Sequence, residues 1–196
     1  MDFLFHCRDK PDTGALLESL TEAHWSFMDG YADRLLVRGP TLSADGEEHT
    51  GSLHIVSLAS LAETETFAYQ EPFYKAGAYG AVTIHRWQDR LGRAIRDFKP
   101  NPLDPLYLIL LPAPENPVAP PPPAEAWRDF ATRCGDRIAA LGCTFSTDGA
   151  RWTGGAAIVQ APTAIDAERL PTTALPALGF ATAGLEIHRW CVGGRR

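Results

Sequence analysis

Short apolar runs alternate along the chain with segments of helical period, and that alternation predicts its elements. Residues 3–7 and 106–111 are apolar runs of strand length, and 13–33 carries Leu16, Leu17, Leu20, Ala23, Phe27 and Tyr31 at helical spacing. A second strand runs into Asp45-Gly46, a hairpin signal. The third spans 51–58, with His54 and Ser57 interrupting its apolar alternation. Ser60 and Glu63 have capping-box spacing, and the helix they open ends before Pro72. A fourth strand, 81–87, sets Val82, Ile84 and Arg86 on one face and Thr83, His85 and Trp87 on the other. The order is β-α-β-β-α-β, a ferredoxin-like α+β unit.

The same pattern occurs twice. Ile84-His85-Arg86-Trp87 recurs 103 residues later as Ile187-His188-Arg189-Trp190, and the same offset lays Asp45-Gly46 on Asp148-Gly149 and Thr50-Gly51 on Thr153-Gly154. Residues 20–87 show 20 identities in 68 positions against their counterparts, where about 4 are expected from composition. The chain reads as a tandem duplication: copy one at 1–93, a connector at 94–103, and copy two at 104–196. The proline run 120–123 falls inside copy two, just before its first helix. One such unit covers only one face of its sheet with helices, so the two sheets are expected to face each other as an intramolecular pseudo-dimer.

Duplication separates scaffold from chemistry. Gly39/Gly142, Asp45-Gly46/Asp148-Gly149 and Gly51/Gly154 are kept in both copies and read as turn and strand-start glycines, while His85 and His188 read as packed or surface residues. Four polar residues of copy one are lost: Asp9 aligns with Pro112, His24 with Trp127, Ser52 with Gly155 and Glu71 with Ala174, and Pro72 becomes Leu175. The candidate site therefore belongs to copy one. His24, on the apolar stripe of the first helix, is the candidate general acid/base, with Glu71 or Asp9 as the carboxylate that orients it. Ser52 is a candidate hydrogen-bonding group for a substrate oxygen. Each has a plainer alternative: a core histidine satisfied by a carbonyl, a solvated loop acid, a turn-capping aspartate, a surface serine.

Composition narrows the classes. With 24 acidic and 18 basic residues, a net charge of -6 and a pI near 5.5, no basic excess is available for a phosphate backbone, so no nucleic-acid partner is expected. The mean hydropathy of -0.15 and the lack of an apolar run near 20 residues argue against a membrane span. The polar turn of the sequence after residue 5 argues against a secretory signal, so a cytoplasmic location is expected. Cys7, Cys134, Cys143 and Cys191 form no C-x-x-C pair and read as reduced thiols. His6, His49 and His54 have no paired ligand spacing, and no Gly-rich phosphate loop, G-x-S-x-G or H-E-x-x-H occurs; neither metal nor cofactor is expected.

Copy one resembles the YCII-related family in Cys7-Arg8-Asp9-Lys10-Pro11, Ala23-His24, Gly39-Pro40, Thr50-Gly51-Ser52 and 71–77 (EPFYKAG). Glu71 stands where that family usually has aspartate. The resemblance implies ferredoxin-like units assembled as a dimeric α+β barrel, with a site around the histidine and the acidic residue, and extends the substrate-binding expectation to Arg8 and Phe73. It implies isomerase-, lyase- or dehydrochlorinase-like chemistry on a small polar ring or lactone. The alternative is a small-ligand-binding or regulatory module, for which Trp25, Trp87, Trp127 and Trp152 would matter more. The expected partner is a small molecule, in a monomeric pseudo-dimer for which a further homodimer stays open.

Overall fold

The computed structural model of the chain describes residues 1–114, 121–172, 180 and 183–195. The first half contains β1 (Asp2–Asp9), α1 (Gly14–Asp29), β2 (Leu35–Leu42), β3 (His49–Ser57), α2 (Leu61–Tyr69), a single-turn α3 (Pro72–Lys75) and β4 (Tyr79–Asp89). The second contains β5 (Leu106–Pro112), α4 (Ala124–Cys134), β6 (Ile138–Phe145), β7 (Trp152–Gln160), α5 (Ala164–Thr172) and β8 (Glu186–Trp190). The strands form one closed barrel in the order β1-β3-β2-β8-β5-β7-β6-β4. The two sheets face each other as expected, and their edges also join: β4 pairs antiparallel with β6, and β2 with β8. Closure removes the unpaired edges that each sheet alone would expose.

Local chemistry explains where the elements end. The first helix stops at Asp29, short of the predicted 33, and a 3-10 turn (Ala32–Arg34) leads into β2. Ser60 caps α2 by accepting from Glu63 N at 3.1 Å, while Glu63 reaches back to accept from Ala59 N at 2.7 Å. Pro123 occupies the N-cap of α4, and Pro120 lies outside the described residues. Strand alternation sorts the apolar residues. Leu4, Leu53 and Ile55 meet Leu106, Leu108, Ala156 and Ile158 inside the barrel, with Phe98 of the connector added to them. Phe3, Phe5 and Val56 instead pack outward, with Met28 of α1 and Phe67 of α2.

Strand register corrects one alignment. Leu4 pairs with Ile55 and Leu108 with Ile158, so β5 sits one residue beyond the 103-residue offset that β7 obeys. A one-residue slip would turn Leu106 and Leu108 out of the barrel, and their burial fixes the register. The counterpart of Asp9 is therefore Ala113, not Pro112; it too lacks a carboxylate. Ala174 and Leu175 lie outside the described residues.

The repeated tetrapeptide proves to be the joint between the halves. Trp190 Nε1 donates to Gly39 O at 3.1 Å, and Trp87 lies against Gly142. Arg189 Nη1 donates to Asp45 O at 2.8 Å, and Arg86 lies beside Gly149. Each half thus lays its tryptophan and arginine on the second strand and following hairpin of the other. Gly39 and Gly142 are accordingly mid-strand residues rather than turn residues: a Cβ on Gly39 would overlap the Cys191 carbonyl and the Trp190 indole, and one on Gly142 the Trp87 ring. Gly39→Ala is expected to destabilise the protein by about 1–3 kcal/mol through overpacking. Gly14→Ala, where nothing lies within 4 Å, should leave the urea midpoint essentially unmoved, and equal midpoints for the two variants would remove this account of the joint.

Candidate active site

Beneath α1, on the outward face of the first sheet, a cavity of about 960 Å³ is lined by Asp9, His24, His49, Ser52, His54 and Phe73, among others. At its back stands Glu71, 3% exposed. Pro72 begins α3, and Glu71 is its N-cap: Oε1 accepts from Phe73 N at 3.1 Å and Oε2 from Tyr74 N at 2.9 Å. Proline suits this first helical position, where its missing N–H removes only an orphan donor. The carboxylate so fixed meets His24 Nδ1 at 2.6 Å.

The His24 ring is further held by stacking on Phe73, with centroids 4.3 Å apart and planes 4° from parallel. Because Glu71 already accepts from two backbone N–H groups, Nδ1 carries the proton and donates to it, which leaves Nε2 as the basic nitrogen. Nε2 has no hydrogen-bond partner among the described residues. Glu71, rather than Asp9, is thus the carboxylate that orients His24.

Asp9 binds a different histidine: its Oδ2 lies 2.6 Å from His49 Nδ1. Ser52 is buried, with its Oγ 3.3 Å from the Tyr79 hydroxyl. Burial raises Tyr79 well above its usual range and pushes the Cys7 thiol up to about 12, so both stay protonated and neither is poised as a nucleophile. His54, 5.8 Å from the His24 ring, is held well below the ordinary histidine range by burial and then by the field of His24.

Arg8 does not join this group. It lies on the inward face of β1 and pairs with Glu186 at 2.5 Å, because alternation turns it away from Cys7 and Asp9. Its neighbour His6 is also inward, with Nε2 buried and unpartnered, and burial followed by His188 and Arg8 lowers its pKa to about 4. Folded His6 stays neutral down to that pH, whereas the unfolded chain takes up the proton near 6.5. Stability should therefore fall as pH drops from 6.5 towards 4 and be insensitive to this group above 6.5. A urea midpoint that is flat from about pH 7 to 4.5, or falls equally in His6→Gln, would remove His6 from that account.

Several parts of the site escape sequence reasoning. His49 and His54 have no ligand spacing in the sequence, yet both line the cavity. So does the segment after β8: Cys191 N donates to Pro40 O at 3.3 Å and Gly193 N to Arg38 O at 3.0 Å, and residues 191–194 form one cavity wall. Arg195 fastens that segment to α1 through Glu22, Ser26 and Asp29. Copy two thus supplies a wall to the site of copy one.

The equivalent space in copy two is filled. Trp127 and Trp152, at the positions of His24 and His49, lie 5.4 and 5.3 Å from the Phe180 ring. A Cβ on Gly155, the counterpart of Ser52, would meet Phe180 and Trp127. Of the tryptophans considered for ligand binding, Trp25 lines the cavity, whereas Trp87 is in the barrel core and Trp127 and Trp152 are in the core of copy two. Among the described residues no group of three or more His, Cys, Asp or Glu is arranged to hold a metal, and no helix is long and apolar enough to cross a membrane.

Comparison with known proteins agrees with this architecture. Residues 1–88 match the YCII-related domain. The chain is 31% identical to the 5-chloro-2-hydroxyhydroquinone dehydrochlorinase of Burkholderia phenoliruptrix AC1100, over 45% of this chain and 95% of that one, with a TM-score of 0.44. A mutant chlorite dismutase of Candidatus Nitrospira defluvii superposes with a TM-score of 0.58 at 10% identity, over 97% of this chain and 91% of that one. A heme-binding protein of Thermus thermophilus gives 0.51 at 10% identity, over 96% and 90%. At 10% identity these two likenesses are of fold. Among curated proteins none matches. Residues 1–88 belong to the YCII-related family, and the whole chain folds as a dimeric α+β barrel assembled from two ferredoxin-like halves of a single polypeptide.

Proposed function

We propose that the protein is an enzyme that moves protons on a small polar ring or lactone, as an isomerase, a lyase or a dehydrochlorinase-like catalyst, with His24 as general acid/base. One observation carries this reading: an imidazole fixed by a buried carboxylate, its other nitrogen unpartnered among the described residues, lines a cavity large enough for a ring-sized metabolite. Proton removal beside a carbonyl, with or without departure of a leaving group, needs a positioned base and a donor for the developing oxyanion. His24 suits the first role and the buried Ser52–Tyr79 pair the second. The histidine supplies the proton transfer itself, so the reading calls on no cofactor. Phe73 serves as the platform that holds the His24 ring and as a substrate contact.

The test is incubation of the protein in D2O with muconolactone, hydroxyquinol and 5-chloro-2-hydroxyhydroquinone, following deuterium incorporation by NMR and chloride release. Exchange or turnover above the enzyme-free blank on at least one compound is expected. Compounds that raise Tm but are recovered unchanged and unlabelled would replace this reading with that of a binding module.

A further inference from the structure

We infer that His49, oriented by Asp9, is a second acid/base residue of the same cavity, so that the site works with two histidine–carboxylate pairs. The inference rests on the acid/base reading above and adds a catalytic residue to it. Three observations support it. First, His49 repeats the arrangement of His24: a carboxylate oxygen lies 2.6 Å from Nδ1, the carboxylate side chain is 6% exposed, and the ring lines the cavity. Asp9 Oδ1 is buried without a partner, so the hydrogen bonding of this carboxylate is committed to His49.

Second, both imidazoles lie against one phenyl ring. His24 stacks on the face of Phe73 and His49 stands nearly perpendicular to it, 6.4 Å away. The placement of His49 is built into the strand: the register of β2 on β3 passes from Thr41↔Gly51 to Leu42↔His49, a bulge at Thr50. Such a bulge shifts the alternation of side chains across it by one, so His49, just before it, joins Ser52 and His54 on the cavity side. Third, copy two has lost both pairs together. It carries the same bulge, yet tryptophan replaces each histidine, and both indoles pack on Phe180. Positions 24 and 49 thus border a single volume in either half.

Two such groups suit a proton shift. When a ring enol becomes its ketone, an O–H bond breaks, a C–H bond forms and the π bond moves between them. One imidazole takes the hydroxyl proton while the other, already protonated, delivers its own to carbon, and proton exchange with water restores both. No electrons leave the substrate, and neither ring has to swing across the cavity between the two transfers.

The experiment compares wild type, His49→Gln, Asp9→Asn and His24→Gln by deuterium exchange on the three compounds above and by kcat from about pH 5 to 9 on any that turns over. His49→Gln is expected to lower kcat on the order of 100-fold and to abolish one limb of the pH profile, with Tm retained. Asp9→Asn should lose less and shift that same limb; it is the deciding variant should His49→Gln fail to fold. A His49→Gln protein with wild-type kcat and both limbs, beside an inactive His24→Gln, overturns this inference and leaves the acid/base reading intact. Wild type indistinguishable from the blank on every compound overturns both.

Discussion

His24→Gln is expected to reduce kcat by a factor on the order of 10²–10⁴, the usual contribution of a positioned general acid/base, with little change in substrate affinity. Glutamine can still rest on Phe73 and donate to Glu71, so the fold should persist. The partner variant separates orientation from mere presence of the ring. Glu71→Gln keeps the imidazole, but its amide cannot accept from Phe73 N, Tyr74 N and His24 with both of its termini. It should cost about 1–2 kcal/mol as a damaged helix cap and also let His24 adopt the other tautomer. Steady-state kinetics and urea unfolding on the same samples decide the matter. A His24→Gln enzyme with wild-type kcat would remove His24 from the chemistry, and a Glu71→Gln enzyme that is less stable but fully active would reduce Glu71 to a cap.

Trp190→Ala is expected to be the most destabilising single substitution at the joint, by about 3–5 kcal/mol out of a total that for such domains is about 5–15 kcal/mol. The indole is 1% exposed, lies in the core shared by the halves and bonds to Gly39 O. Its loss leaves a cavity between strands that pair through only Thr41–Trp190 and Leu42–Arg189. The segment that walls the cavity begins at the next residue, so KM should rise as well. Urea denaturation checks the first effect, and KM measured well below the unfolding transition checks the second. A loss under about 1 kcal/mol would show that the joint is held elsewhere.

Much of this architecture was legible because the chain states it twice. Periodicity gave the order of elements, and the repeat gave the pairing of the halves. His24 and Glu71 stood out as polar residues that one copy keeps and the other has lost. What stayed hidden depends on geometry that alternation does not encode. His49 lies an odd number of residues from Ser52 and His54, so simple alternation puts it on the opposite face; only the bulge at Thr50 reverses that. Arg8 adjoins Asp9 in sequence, but strand parity sends it into the barrel. Gly39 and Gly142 resemble turn residues in the sequence because their constraint comes from a tryptophan about 150 and 55 positions away, respectively, in the other half.

Joining the halves in one polypeptide has a further consequence. A barrel made from two separate chains exists only while its subunits remain associated, and dilution takes it apart by mass action. Here the connector turns that encounter into an intramolecular event with a fixed effective concentration. The wall that residues 191–194 give to the cavity, fastened to α1 by Arg195, cannot be lost by diluting the protein. In the second half Trp127 and Trp152 pack on Phe180 at the positions corresponding to His24 and His49. The candidate site of the first half therefore keeps, at any dilution, the side that the second half supplies.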